Sequence, residues 1–183
     1  MAARVPYVNR EDLDQEGQQT YDRIRRDRGQ PEVGYQFRAL LNSPKAAGHL
    51  TSLGAQLRFD SSMPERVKEL AIILTAREWN SGIEWTGHAV AAEKAGVSKA
   101  SIESIRTRRA PQGLTKDEAV IARYVHQMVR DKNVTDDTFA AAHAMLGTQG
   151  VVDLTLTVCY YTAVAMAQIA LKPEMQPGRV STL

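Results

Sequence analysis

Apolar residues recur along this chain with the 3.6-residue period of an α-helix. In the segment that follows Pro64, residues Val67, Leu70, Ile73 and Leu74 fall on one stripe. The late apolar run, residues 151–171, contains β-branched residues, which are common in strands. Its length and its period nevertheless favour a helix. The pattern therefore predicts an all-α fold.

Caps, prolines and glycines mark where the helices begin and end. A serine in Ser61–Ser62 is expected to cap the helix that follows Pro64, and Thr115 with Glu118 matches a capping box. The predicted helices cover residues 11–28, 35–41, 45–57, the segment after Pro64, 82–94, 98–107, the segment after Thr115, 135–147 and 149–171.

A chain of 183 residues is long enough for one domain with an appended arm. We divide it into an N-terminal arm and peripheral helix (1–40), a helical domain (41–175) and a C-terminal tail (176–183). The first helix has few apolar residues (Leu13, Tyr21 and Ile24), so we expect it to lie at the periphery or to clasp a neighbouring subunit.

The charge pattern argues against a nucleic-acid partner. The net charge is only +2, and the two short basic clusters, residues 23–28 and 106–109, are not interleaved with aromatic residues. The run 151–171 is interrupted by polar residues such as Asp153, so it predicts a buried core helix and no membrane partner.

Cysteine content and the first residues of the chain point to the cytoplasm. A single cysteine, Cys159, excludes an intrachain disulfide and is typical of a reducing compartment. Its apolar neighbours predict a buried, inert thiol. The first residues lack the apolar core of a signal peptide.

The candidate chemistry lies in two carboxylates and one of the four histidines. Glu84 and His88 are four residues apart and share a helix face, next to the apolar Trp85. Glu69 lies beside an apolar stripe, where a carboxylate needs a partner. Carboxylates and an imidazole in a buried cluster are the groups that proton transfer uses.

Two other interpretations of this cluster stay open. Glu84 and His88 would also fit a surface ion pair, and Glu69, Glu84 and His88 could ligate a hydrated divalent cation. The di-iron motif needs a second Glu-x-x-His, and this sequence has none, so we predict no metal. The sequence also has no glycine-rich phosphate loop and no Cys-x-x-Cys pair.

Three segments resemble the carboxymuconolactone decarboxylase family, which includes the AhpD-like alkylhydroperoxidases. They are Arg66–Leu74, the Glu-Trp-x-x-His segment that continues to Ala-Gly-Val-Ser (Glu84–Ser98), and Val152–Tyr161. The resemblance covers about residues 40–172 and implies an AhpD-like helical fold. The two redox cysteines of the peroxidase branch are replaced here by Ser81 and Glu84, so the chain resembles the cysteine-less branch.

The resemblance implies a cofactor-independent lyase or isomerase that acts on a small lactone or an enolisable carboxylic acid, in the catabolism of aromatic compounds. His88 would be the proton donor or the oxyanion partner, Glu84 would orient it, and Glu69 would be a second proton-handling group. Family members are homo-oligomers, so a trimer or hexamer is expected. An AhpD-like peroxidase that depends on Cys159 and a non-catalytic, small-molecule-binding helical oligomer are the alternatives.

The candidate substrate-binding residues come partly from the resemblance and, for the two arginines, from their proximity to the cluster in the sequence. Trp85 would form a wall of the pocket and lower the local dielectric constant. Arg58 or Arg66 would hold a substrate carboxylate. Ser81, at the start of the helix that carries Glu84, is the remaining candidate for contact with the substrate.

Overall fold

The computed structural model describes residues 3–109 and 113–183, and this part of the chain contains eight α-helices and no strand. The all-α prediction is therefore confirmed. A 3-10 turn (Arg10–Asp12) precedes α1, and a π-helical turn (Gln127–Asp131) continues α7. The helices are α1 (Gln15–Asp27), α2 (Tyr35–Leu40), α3 (Pro44–Phe59), α4 (Glu65–Glu78), α5 (Gly82–Lys94), α6 (Lys99–Arg106), α7 (Lys116–His126) and α8 (Asp136–Leu171).

The described residues form two compact units. The first contains the residues up to Asp60 together with Met166–Val180, and the second contains Ser61–Ala165 and Ser181–Leu183. The division of the sequence at residues 40 and 175 remains a prediction about domains.

In the first unit, α1 packs on α3. Tyr21 and Ile24, two of the few apolar residues of α1, are buried in a core that also contains Phe37 and Leu41. Arg23 of α1 donates a hydrogen bond to the carbonyl of Gly48 at 2.8 Å, which ties the two helices together.

In the second unit, α4 packs against both α5 and α7. Every residue of α4 from Lys68 to Ala76 is buried, because neighbouring elements surround the helix. Its aliphatic side chains join a core with Trp85 of α5 and Leu154 of α8. Any charged group in the middle of α4 is therefore placed inside the core.

The start of α4 differs from the prediction of a serine cap. The helix begins at Glu65, and the residue at its N-cap is Pro64, whose side chain cannot cap. Ser61 and Ser62 instead bind Asp153 of α8: the backbone N–H and hydroxyl of Ser62 donate to its carboxylate at 2.9 and 2.7 Å, and the Ser61 hydroxyl donates at 3.2 Å. By contrast, the predicted capping box of Thr115 and Glu118 is present at the start of α7.

Helix α8 is interrupted at Gly147, whose φ and ψ angles of 70° and 179° are not helical. The prediction of two successive helices over 135–147 and 149–171 agrees with this break. By length and composition α8 is also the one described helix that could cross a membrane. Leu154, Val158 and Tyr161 are nevertheless buried in the protein, as in the core helix of a globular domain.

The prediction of a buried thiol was wrong, because Cys159 is exposed on α8. Nearly every position of this helix segment is apolar or small, so its sequence does not show which side faces the core. The buried side carries Leu154, Val158 and Tyr161, and Cys159 lies outside that stripe.

Candidate active site

Helix α4 places Glu69 inside the second unit. The residue is 1% exposed, and the residues that follow it in the helix, among them Leu70 and Ile72, are fully buried. An isolated carboxylate in such surroundings would cost several kcal/mol, so Glu69 needs a hydrogen-bond donor from another element.

Helix α5 supplies that donor. Ser81 is the N-cap of α5, and its hydroxyl accepts a hydrogen bond from the backbone N–H of Glu84 at 3.4 Å. Glu84 lies in the first turn, where the helix dipole favours a negative charge. His88 lies one turn later on the same face, and both side chains are buried.

His88 links three helices of the second unit. Its Nδ1 atom lies 2.7 Å from Oε2 of Glu69 on α4, and its Nε2 atom lies 3.1 Å from the hydroxyl oxygen of Tyr161 on α8. Oε2 of Glu84 lies 3.6 Å from the same Nε2 atom, just beyond hydrogen-bond distance. The three predicted residues, Glu69, Glu84 and His88, therefore lie together.

These distances favour one tautomer of a neutral His88. A carboxylate can only accept, so the Nδ1 atom carries the hydrogen and donates it to Glu69. The Nε2 atom then accepts a hydrogen bond from the Tyr161 hydroxyl. When the ring is protonated, its Nε2–H group faces Tyr161 and Glu84, while Glu69 stabilises the positive charge. The Nε2 atom is thus the position at which a proton can be gained or lost.

Tyr161 was not among the predicted site residues. Its hydroxyl contacts His88, its ring packs edge-on against the imidazole with centroids 5.1 Å apart, and the residue is 4% exposed. A signal was present in the sequence: Tyr161 continues the stripe of Leu154 and Val158, so its hydroxyl had to find a buried partner.

The candidate substrate-binding residues have different surroundings. Trp85 is 1% exposed and belongs to the core of the second unit. Arg66 forms an ion pair with Glu118 at 2.7 Å. Arg58 belongs to the first unit, where it is exposed and lies over the ring of Phe59. A role in substrate binding for Trp85, Arg58, Arg66 and Ser81 remains a prediction.

Within residues 3–109 and 113–183, no group of three His, Cys, Asp or Glu side chains is arranged to hold a metal ion. The Nδ1 atom of His88 is instead engaged by Glu69. What this cluster offers chemically is a buried imidazole whose tautomer is fixed, with a carboxylate and a phenol beside its second nitrogen.

No family model and no curated protein matches the sequence. Solved structures do match. A peroxidase-related protein from Ralstonia eutropha, described as an alkylhydroperoxidase AhpD core, has a TM-score of 0.78 at 12% identity, over 98% of both chains. The chain has the AhpD-like fold.

Two further structures share it. A variant of the debrominase Bmp8 in complex with 2,3,4-tribromopyrrole has a TM-score of 0.74 at 9% identity, over 97% of this chain and 94% of that one. A peroxidase-related protein from a Silicibacter species has a TM-score of 0.74 at 13% identity, over 95% and 91%. Similarity at these identities establishes the fold and leaves the activity to be argued from the site.

Proposed function

We propose that this protein is a cofactor-independent lyase or isomerase of the carboxymuconolactone decarboxylase type, acting on a small lactone or an enolisable carboxylic acid. The observation that carries the proposal is the buried chain of Glu69, His88 and Tyr161. Such an arrangement fixes the ring of His88 and leaves its Nε2 atom to exchange a proton.

In a decarboxylation of this type, the bond between the ring carbon and the carboxylate breaks and carbon dioxide leaves. The electron pair passes into the conjugated lactone carbonyl as a dienolate, and carbon must then receive a proton. The protonated Nε2 atom of His88, or the Tyr161 hydroxyl beside it, is the donor that we assign. Water later returns a proton to the group that donated it, which closes the cycle.

The two carboxylates take different roles in this scheme. Glu69 accepts the hydrogen bond from Nδ1, so we assign to Glu69 the orienting role that the family resemblance gave to Glu84. Glu84 lies 3.6 Å from Nε2, beside the atom to which we assign proton transfer. Trp85 excludes water nearby, which strengthens each of these interactions.

The test is an activity screen with a matched pair of histidine variants. Carboxylated butenolides and simple enolisable lactones are incubated in D₂O, while carbon dioxide release and exchange at carbon are followed by NMR. Replacing His88 with alanine should lower the rate by about 10²-fold or more. The control is His49→Ala, which removes an exposed histidine from α3.

Equal rates for His88→Ala and the native protein would remove His88 from the mechanism. If the native protein catalyses neither reaction on any member of the panel, the lyase proposal fails. Hydroperoxide reduction that is lost in Cys159→Ser would instead favour the thiol-dependent peroxidase.

Burial of the cluster favours one other candidate function. Glu69, Glu84 and His88 are at most 7% exposed, and their polar atoms lie near one another, as expected in a non-catalytic, small-molecule-binding helical protein. That function predicts that His88→Ala weakens ligand binding or stability, while no compound in the panel is converted by the native protein.

We further propose that the chain forms a homo-oligomer through α8. Val152, Leu156, Cys159 and Ala163 are exposed, and they recur at the alternating spacing of four and three residues that pairs helices in coiled coils. In this proposal, the stripe packs against the same stripe of α8 in a second copy of the chain. Light scattering on native protein and on Leu156→Asp tests this, since the charged variant should dissociate.

A further inference from the structure

A pocket with a charged lining lies where α4 and α6 end. It encloses about 240 Å³, and its charged lining consists of Arg77, Arg108, Arg109 and Arg130 together with Glu78 and His126. All of these residues belong to the second unit. Two residues of the basic cluster at 106–109, Arg108 and Arg109, thus line this pocket. The sequence pattern of that cluster did not support nucleic-acid binding.

This pocket is separate from the Glu69 cluster. Glu78 is the last residue of α4, and Glu69 lies in the first half of the same helix. At 1.5 Å and 100° per residue, the two positions are about 13 Å apart along the axis and on opposite faces of the helix.

The one carboxylate of the lining is already neutralised. Arg130 donates two hydrogen bonds to the two oxygens of Glu78, from Nε at 2.7 Å and from Nη2 at 2.6 Å. Burial and the charge of the neighbouring Arg130 lower the pKa of His126, so the imidazole contributes no positive charge to the pocket near neutral pH. Among the residues that line the pocket, four arginines therefore share a single carboxylate, and the lining carries an excess of positive charge.

Arg77 and Arg108 are held close together by the ends of the two helices. Nε of Arg77 donates to the carbonyl of Arg106 at 2.7 Å, and Nη2 of Arg108 donates to the carbonyl of Arg77 at 3.1 Å. Burial lowers the pKa of Arg77, and the charge of Arg108 lowers it further. The two guanidinium groups thus repel one another, and an anion between them would relieve the repulsion.

Arg108 keeps donors for such an anion. Its φ angle is 52°, a left-handed conformation that favours glycine, yet the position holds the longest basic side chain. Its contacts with the helix ends use Nη2, whereas its Nε and Nη1 atoms have no acceptor elsewhere in the described residues. These two nitrogens lie on different edges of the guanidinium, so each can donate a single hydrogen bond to a phosphate or carboxylate oxygen.

We propose that this pocket binds a small anion with at least two negative charges, carried by phosphate or carboxylate groups. Arg77, Arg108 and Arg109 provide the positive charge that Glu78 does not balance, and Leu74 and Ile105 complete the wall of the pocket. The ligand is a small molecule, because the basic side chains converge on one pocket instead of forming an extended stripe.

Calorimetric titration of the full-length protein with pyrophosphate, and separately with citrate, tests the proposal. At low ionic strength we expect saturable binding of one anion per chain. Arg108→Gln should weaken it about tenfold or more, and Arg109→Gln, at the exposed rim, about threefold to tenfold. Arg123→Gln is the control, since Arg123 is an exposed arginine of α7 outside the pocket.

The variants separate specific binding from general charge attraction. Arg109 forms no internal hydrogen bond through its side chain with the described residues, so Arg109→Gln should fold even if loss of Arg108 disturbs the end of α4. Preference for pyrophosphate or for citrate identifies the anionic group of the ligand. Absence of saturable binding, or equal weakening by Arg109→Gln and Arg123→Gln, would overturn the proposal.

Discussion

The pair of Glu69 and His88 makes a prediction about stability whose sign depends on how many partners are removed. Glu69→Leu leaves a buried Nδ1–H group without an acceptor, and His88→Leu leaves a buried carboxylate without its donor. The double variant leaves neither group. We expect each single change to be strongly destabilising and the double change to be much milder than the sum of the two.

The magnitude follows from the burial of the pair. The two side chains are 2% and 6% exposed and 2.7 Å apart. An unpaired, buried N–H group costs about 1–3 kcal/mol, and an unpaired, buried carboxylate about 3–5 kcal/mol. Since leucine can fill much of the volume of either residue, the coupling energy of the cycle should be at least about 2 kcal/mol.

Tryptophan fluorescence during urea unfolding measures this coupling energy in the second unit, which contains Glu69 and His88. Both tryptophans, Trp79 and Trp85, lie in the second unit, so their emission reports the unfolding of the unit that contains the pair. If the two single effects add to within about 0.5 kcal/mol, the residues do not form the interaction described above.

Three further outcomes are expected. Tyr161→Phe removes the hydrogen bond between the phenol and His88, so it should lower the free energy of unfolding by about 1 kcal/mol. It should also lower kcat on a substrate found in the screen by about tenfold or more. An unchanged kcat would exclude the phenol from proton transfer. Burial alone would raise the pKa of Asp153, yet hydrogen bonds from Ser62 and Ser61 lower it, so this carboxylate stabilises the fold above about pH 4 and the effect is lost as the pH falls through the lowered value. Urea midpoints at pH 7 and pH 3 should therefore differ less in Asp153→Ala than in the native protein. If α8 pairs with a second copy, mild oxidation should form a disulfide between the Cys159 residues of two chains. The yield of this disulfide-linked dimer should fall less steeply on dilution than it would if the two chains met only by random collision.

Local patterns predicted the helices well. The capping box at Thr115 and the glycine break before residue 149 are short-range features, and each was found where the sequence placed it. The spacing of Glu84 and His88 is equally local, because four residues along a helix fix a shared face. Such features need no knowledge of which helices are neighbours.

What could not be predicted depends on contacts between distant segments. Tyr161 contacts His88 only because α8 packs beside α5. The hydroxyl of Ser62 binds the distant Asp153 instead of capping α4. The arginine pocket exists because α4 and α6 end side by side, which the basic cluster at residues 106–109 does not reveal. Helix packing decides each of these cases.

The break in α8 has a consequence for the variants that this chain can tolerate. Gly147 has open space around it, so the volume of a side chain is not what restricts this position. Its backbone angles belong to a region essentially confined to glycine, and any other residue would cost about 1–3 kcal/mol. Every single-base missense change of a glycine codon adds a side chain, so each carries this penalty, and selection on folding alone would keep the codon a glycine codon.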